Sequence, residues 1–497
     1  MLKHRKIVLI EPRPPGYHVY SFVRLPRLGL PMLGATLKRR GCEVVEFCED
    51  LAPIDWREVA AADLVGISTT TSTAPAAYNV ARFCKSHGIP TLIGGPHVSF
   101  LPEEALQHCD YVVRGEADET IEELMDVLEA GEAPVGVRGV SYRDGEHLVH
   151  NPARPAPHDM DALPYPDLSL IRGRDRISTT PIMTSRGCPF DCSFCSVTLM
   201  FGRGFRYRSV ESVMEELRLL QPRNLFFYDD IFNANARHMS SLLEAMLREN
   251  ITPHWGAQCR ADLVVKQKEL LPLMRRSGCC VLYLGLESVN PETLAAYNKK
   301  QEVEQTIEAI QLLHQHGIMV HGMFVLGADT DDIQTIRDTV RYALRHQVDT
   351  VQFMILTPLV GTREYKRLES EGRLIEDLRD KWNLYDGHHV VFRPARLTPY
   401  QLQTETIKAM RRFYSLWQCG RMVLTPAICR PVVTAGWHAL RGRWKAGWNR
   451  LVNTRPVLPS LARAYGWFHV RRWGRMNKEF LRTLVTRFST AQSSKSM

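Results

Sequence analysis

The segment SRGCPFDCSFC carries Cys188, Cys192 and Cys195 in one short stretch, spaced by three residues and then by two. Thiolates at such spacings hold iron–sulfur clusters, commonly four to a cluster. Here the fourth local ligand is missing. Three thiolates on a four-iron cube leave one iron with an open position, where a small molecule can coordinate. Zinc is the competing reading, but structural zinc takes four protein ligands and favours paired CxxC elements, and no second pair stands nearby. The chain has 12 cysteines in 497 residues. Its start, MLKHRKIVLIEP, has only four apolar residues in a row, short of the roughly 7–15 of a secretory core, so it reads as a first strand and the protein as cytoplasmic. That context argues against a disulfide scaffold and for metal or redox use of the thiols.

The elements around these cysteines set where they sit. Residues 1–125 alternate short apolar runs (IVLI at 7–10, CEVVEF at 42–47, DLVGIS at 63–68, TLIGG at 91–95, YVVRG at 111–115) with helix-length stretches such as APAAYNVARFCKSHG. Such runs predict a doubly wound parallel sheet covered on both faces, with ligands at the C-terminal strand ends. A hairpin is expected around Asp144-Gly145, and DMDALPYPDLSL reads as a linker. A second βα series follows, with strands at 180–185, 225–230, 254–260, 281–287, 319–327 and 351–357. Six units predict a partial (β/α)6 barrel with its chemistry at the C-terminal strand ends. The predicted domains are 1–138, a hairpin and linker over 139–174, the barrel over 175–395, and a helical region over 396–497. Gln258 and Arg260 are expected to face the barrel mouth, and Cys259, Cys279 and Cys280 to be buried core thiols.

The CxxxCxφC pattern, with Phe194 as the aromatic φ, at the end of a first barrel strand resembles the radical S-adenosylmethionine superfamily. The resemblance implies a [4Fe–4S] cluster on Cys188, Cys192 and Cys195 whose open iron takes the amino and carboxylate groups of S-adenosylmethionine. Reduction then gives methionine and a 5′-deoxyadenosyl radical that abstracts hydrogen from substrate. It also implies S-adenosylmethionine contacts from Phe194, from Asp229 and Asp230 after the second strand, and from Glu287 after the fourth. Gly322 and Gly327 in HGMFVLG and Leu356 in LTPLVGT stand where the family contacts adenine.

A doubly wound domain, a linker and a radical barrel in that order resemble the cobalamin-binding subclass. Ser68 precedes Gly94 by 26 residues, about the spacing from the Ser loop to the Gly-Gly turn that lines the cobalamin nucleotide tail. The resemblance implies tail contacts from Ser68, Thr69, Gly94, Gly95, Gly115 and Glu116. The pattern DxHxxG, whose His ligates cobalt, is absent, and His18 is a lone histidine in another context. Cobalamin binding and a purely structural sheet both stand at this point.

Charge is uneven. Residues 398–497 hold 18 Lys+Arg against Glu405 and Glu479, a net +16, while the rest of the chain is −7. Six of the nine Trp lie in the same hundred residues. Trp437, Leu440, Trp444, Trp448 and Leu451 form one helical stripe, with Arg441, Arg443, Lys445 and Arg450 on or beside the polar face. A second helix is expected over about 470–488, with a basic stripe of Arg471, Arg475, Lys478 and Arg482 and an apolar stripe of Met476, Phe480, Leu484 and Phe488. Such helices lie in a bilayer interface; packing on the barrel is the alternative. No RNA-binding motif accompanies them and the body is acidic, so nucleic acid is not expected.

The sequence thus predicts an enzyme that functionalises C–H bonds, with peripheral contact at the inner membrane surface. Cobalamin-dependent methylation of an apolar, lipid or isoprenoid-like substrate is its first reading. Coupling, cyclisation or rearrangement without cobalamin is the second. A non-catalytic electron-transfer protein, which needs neither an open iron nor an adenosine-binding strand, is the third. Cluster reduction calls for a low-potential donor, a flavodoxin or ferredoxin.

Overall fold

In a computed structural model of the chain, the quartet IVLI lies inside strand β1 (Lys6–Glu11), five of whose six residues are buried. The structure describes residues 6–14, 24–423, 429–444, 448 and 457–489. His18, Lys445, Arg450 and Leu451 lie outside them. The described chain divides into two units, Met1–Trp255 with Thr357–Asp386, and Gly256–Leu356 with Gly387–Met497.

In the first unit, β1 is flanked in parallel by β2 (Glu43–Cys48) and β3 (Leu64–Ser68). β4 (Thr91–Gly94) and β5 (Tyr111–Val113) continue the sheet in parallel. Strands covered on both faces need apolar residues at successive positions, which is why these runs are continuous. The expected hairpin is present as β6 (Val140–Asp144) and β7 (His147–His150), but it is not detached from the sheet. β6 pairs antiparallel with β5, so the order is β2-β1-β3-β4-β5-β6-β7 and the sheet is mixed rather than purely parallel. A two-stranded hairpin alone is marginal in water, and docking on an existing edge supplies its missing partner. The stretch read as a linker is strapped down too: Lys38 Nζ lies 2.7 Å from Asp167 Oδ2, and the Arg172 amide donates to the Glu46 carbonyl at 2.8 Å.

The second βα series starts in this unit with β8 (Thr180–Ile182). A short antiparallel pair follows, β9 (Ser185–Arg186) with β10 (Arg206–Tyr207), and then β11 (Asn224–Phe227), parallel to β8. The helix Val210–Leu220 is capped by the Ser209 hydroxyl, which accepts from the Ser212 amide. The chain passes to the second unit within β12 (His254–Cys259). There β13 (Cys279–Glu287), β14 (Met319–Leu326) and β15 (Thr350–Ile355) pair in parallel, joined by the helices Val303–Gln315 and Ile333–Arg345. All six strands read from the second series are therefore present. Of the three thiols expected in the core, Cys259 and Cys279 are buried and Cys280 is only half-buried.

His321 on β14 sits with Nδ1 2.7 Å from Thr350 Oγ1 and its ring 4.8 Å from that of Tyr283. Burial pushes its pKa down to about 4, partly offset by Gln352. The folded protein thus keeps this ring neutral over a range where the unfolded chain, with an ordinary value near 6.5, takes up a proton. Stability from this site is present above pH ~6.5 and drains away as pH falls towards 4, by about 3 kcal/mol in all. Urea titrations across that window should show a His321→Phe variant losing less stability on acidification than the parent by about that amount. Parallel curves would remove the histidine as the cause.

The C-terminal region is helical. Pro399–Phe413 opens with a capping box from Thr398 and Gln401. Just past its end, Tyr414 clamps β15, its hydroxyl donating to the Val351 carbonyl at 2.6 Å and accepting from the Val351 amide at 3.0 Å. Leu416–Val423, Cys429–Leu440, Val457–Met476 and Lys478–Ser489 follow. The helix expected over 470–488 is instead two helices meeting at Asn477. Of its apolar stripe, Leu484 is fully buried and Phe480 sits edge-on to His389 at 4.8 Å, while Met476 is half exposed. The 437–448 stripe is different: Trp437, Leu440, Trp444 and Trp448 are all exposed. No helix among the described residues is long and apolar enough to cross a membrane.

Candidate functional site

Cys188, Cys192 and Cys195 lie half-buried on the loop that leaves β9, at the C-terminal end of the first barrel strand. Two anchors shape that loop. Asp229, just past β11, is buried and accepts hydrogen bonds from the Thr184 amide (2.7 Å), the Thr184 hydroxyl (2.5 Å) and the Ser185 amide (3.1 Å). Burial raises its pKa to about 6 against the pull of those donors. Its oxygens hold the end of β8 and the start of β9, so Asp229 is a positioning residue rather than an open contact. Asp230 accepts from the Gly187 amide at 3.3 Å, one residue before Cys188. On the far side, Arg363 donates to the Asp191 carboxylate at 3.0 Å and to its carbonyl at 2.8 Å, and the Glu364 amide donates to the Ser193 carbonyl at 3.3 Å.

Burial pushes the Cys195 thiol up to about 12, with Cys192 and Cys188 adding to the rise. The three sulfurs feel one another, but among the described residues no trio of side chains is drawn into metal-ligating geometry. The donor set is three thiols with no fourth cysteine in the loop. Between them the Ser193 hydroxyl is buried with no partner among the described residues. Soft thiolates with one position left for another ligand suit an iron–sulfur cluster better than closed zinc. Phe194 is part-buried in the same loop.

Beside this loop the first unit holds a cavity of about 380 Å³. One wall is the C-terminal edge of the sheet, with Ser68, Thr70, Gly94, Gly95, Gly115 and Glu116; the other includes Met183, Arg186, Tyr228 and Asp230. Gly95 has φ +115°, and a Cβ there would stand 2.1 Å from the Thr69 carbonyl oxygen, so only glycine permits this turn. Thr69 itself is buried; its amide and hydroxyl donate to the Gly94 carbonyl at 2.8 and 3.1 Å, so it shapes the turn from behind. A Cβ on Gly115 would meet nothing within 4 Å. A mainly apolar cleft with glycine backbone at the strand ends fits a large, flat, tailed ligand such as cobalamin.

Sequence reasoning placed Glu116 here but missed its partners. Arg186 Nη1 lies 2.7 Å from Glu116 and 2.6 Å from Asp118, and Arg206 Nη2 lies 2.5 Å from Glu116. All four side chains are nearly buried. Burial lowers the Arg186 pKa, but Asp118 and Glu116 more than reverse it and hold the group well above its ordinary value. Glu116 is thus committed to two arginines. A second pair, Arg27 with Glu11 at 3.0 Å, stands at the same cavity.

The remaining candidates lie in the second unit. Glu287 ends β13 at a register shift against β14, with φ +59°. Its carboxylate is 2.7 Å from Lys299 Nζ. A Cβ on Gly285 would stand 2.6 Å from Glu287 Oε1 and 2.8 Å from Lys299 Nζ, so the preceding glycine makes room for this pair. Gly322 lies inside β14, where a Cβ would press on Val348, Leu286 and Phe324 at 3.0–3.2 Å. The absent side chain thus leaves room for strand packing. Gly327, at φ +102°, faces Leu402 and donates its amide to Asp331 at 2.8 Å. The buried Leu356 donates its amide to the Leu326 carbonyl at 2.8 Å. Arg260, expected at the mouth, is buried on Asp262 (2.9 Å) and the Lys299 carbonyl (2.7 Å).

A barrel strand ending in three cysteines, beside a sheet-edge cleft with a glycine turn, defines a radical S-adenosylmethionine enzyme with a corrinoid-binding domain. Residues 182–343 match the Radical SAM superfamily and residues 21–125 the B12 binding domain. An uncharacterised methyltransferase of Pyrococcus horikoshii is 31% identical over 83% of this chain and 93% of its own length. The bacteriochlorophyllide d C-12(1)-methyltransferase of Chlorobaculum tepidum is 29% identical over 82% and 87%, and the hopanoid C-3 methylase of Methylococcus capsulatus 29% over 88% and 85%. The cobalamin-dependent S-adenosylmethionine radical enzyme OxsB, solved with aqua-cobalamin bound, shares the fold at a TM-score of 0.69 and 15% identity, over 98% of this chain and 84% of its own. The chain belongs to the cobalamin-binding subclass of the radical S-adenosylmethionine superfamily. It is an enzyme whose cofactors are a [4Fe–4S] cluster, S-adenosylmethionine and cobalamin, and it needs a reductant.

Proposed function

We propose that this enzyme methylates an unactivated carbon of an apolar, lipid or isoprenoid-like substrate. The observation that carries the reading is the glycine-turned cavity, walled by Arg186 two residues before the first cluster cysteine. When bound, the cluster with S-adenosylmethionine supplies a 5′-deoxyadenosyl radical, and cobalamin supplies a methyl carrier. Cys188, Cys192 and Cys195 hold the cluster, and Asp229 and Asp230 fix the backbone that presents them. Phe194 and Asp230 are our assignments for S-adenosylmethionine in the first unit. Ser68, Gly94, Gly95 and Gly115 line the corrinoid tail, with Thr69 and Glu116 supporting them. We retain the division at 138, 174 and 395 as the functional one.

The named relatives act on a bacteriochlorophyllide and on a hopanoid. Both names point towards a large apolar substrate here, as do the exposed tryptophans of the C-terminal region. That region rests peripherally on a membrane, and a flavodoxin or ferredoxin delivers the electron. Mass spectrometry of lipid extracts from the host with and without the gene tests the reaction. Loss of a species one methylene heavier than an accumulating precursor is expected. Loss of a coupled or cyclised species would replace methylation by skeletal chemistry, and an unchanged lipid profile would remove the lipid.

A further inference from the structure

The second unit carries a groove of about 600 Å³ that the chemistry above does not use. Its rim includes Arg341, Arg345, Arg412 and Arg421 against one carboxylate, Asp338, while Tyr342 and neighbouring aliphatic side chains supply apolar surface. Asp338 is already taken by Arg341 and Gln334. Arg345, Arg412 and Arg421 have no carboxylate partner among the described residues. Guanidinium groups are planar forks suited to phosphate oxygens, and a cationic rim beside apolar surface suits a phosphate attached to something greasy.

The surroundings say what that is. Trp417, 73% exposed, sits one helical turn before Arg421 on the helix Leu416–Val423. This helix packs against Val457–Met476, whose Ser460 hydroxyl donates to the Cys419 carbonyl at 3.3 Å. The outward face of Val457–Met476 carries Leu461, Tyr465, Phe468 and Met476, each about half exposed, with Arg472 and Arg475 between them. Val433, Trp437, Leu440, Trp444 and Trp448 make a second exposed apolar row, and Arg441 lies over the Trp437 ring at 4.4 Å. Large apolar side chains exposed at helical spacing along a face mark an interaction surface. Interleaved with arginine, and on a region of net charge +16, its complement is an anionic bilayer surface.

We propose that the Arg345–Arg412–Arg421 groove holds the phosphate of an anionic phospholipid and so seats the C-terminal helices on the membrane. This deepens the peripheral-membrane reading above and rests on it. The test is co-sedimentation of the full-length protein with vesicles of equal parts phosphatidylglycerol and phosphatidylcholine, and with phosphatidylcholine alone. The parent should bind the first and not the second. Each cation near an anionic leaflet contributes roughly fivefold, so Arg345→Gln with Arg421→Gln should weaken binding about 30-fold. Cleavage of S-adenosylmethionine should be unchanged, which shows that the variant is folded. A Trp437→Ala/Leu440→Ala/Trp444→Ala variant should also detach. If only the aromatic variant detaches, the groove assignment is wrong while the membrane reading survives. If the parent ignores both vesicle types, both readings fall. Equal binding to phosphatidylcholine overturns the charge argument. A rise in melting temperature with inorganic phosphate at matched ionic strength, lost in the arginine variant and without vesicle binding, assigns the groove to free phosphate instead.

Discussion

A Cys192→Ala variant should release 5′-deoxyadenosine from S-adenosylmethionine at background, at least about a thousandfold below the parent, or ~4 kcal/mol of lost transition-state stabilisation. Cys192 is the middle of three thiols on a loop fixed at both ends: Asp229 and Asp230 hold its entry, and Arg363 and the Glu364 amide hold its middle. No cysteine within the loop can replace it. Two thiolates on a four-iron cube leave a second iron without protein sulfur, so iron content and the visible cluster absorption should fall with activity. Cys84→Ala is the control. That thiol is fully buried on the helix Ala74–Ser86, far along the chain from the loop, and its loss should cost packing but no iron. Radical chemistry that persists in Cys192→Ala after its iron is lost would remove the assignment.

The parts of this protein legible in the sequence are those set by local pattern. Continuous apolar runs such as IVLI and VLYLGLE have few ways to be buried, so the strands of both sheets could be read directly. The cysteine spacing is local for the same reason: three ligands to one small cluster must come from a few residues. What escaped reading is held by partners remote in the chain. Arg186 meets Glu116 and Asp118 across about 70 residues. Trp382 donates to Glu104 across 278, in the segment Thr357–Asp386 that belongs to the first unit despite following the barrel strands.

Side-chain commitments are also invisible in the sequence. Position along a strand does not say whether a side chain such as that of Asp229 or Arg260, or the space beside Gly322, is already taken inside the protein. Asp229 is spent on Thr184 and Ser185, Arg260 on Asp262 and the Lys299 carbonyl, and Gly322 on making room for Val348 and Leu286. The helix expected from about 470 begins at Val457 instead, and its first three turns are not legible because the inner face is not uniformly apolar. It buries Ser460, Arg463 and His469 beside Val470 and Trp473, and Arg463 donates to the carbonyls of Asp349 (3.0 Å) and Val348 (2.5 Å). Hydrophobic periodicity cannot see a face built on a buried arginine.

The second large effect is expected at Arg186. Its guanidinium donates to both oxygens of Asp118, at 2.6 and 3.0 Å, and to Glu116 at 2.7 Å. Arg206 also holds Glu116, at 2.5 and 3.2 Å. An Arg186→Met variant therefore leaves Glu116 paired but strips Asp118 of its cation in a place where only 8% of its side chain is exposed. Removing one partner of a buried pair costs about 3–5 kcal/mol, most of it the penalty of the charge left behind. Adding Asp118→Asn removes that charge, so the double variant should regain a large part of the loss in urea denaturation, with a coupling of about 1–3 kcal/mol. A purely steric role would give additive losses instead. Because Arg186, Glu116 and Asp118 all line the cavity and Arg186 lies two residues before Cys188, the single variant should also retain less corrinoid on desalting and less iron, together. A protein that loses one and keeps the other would show that the cavity wall and the cluster loop are not coupled through this arginine.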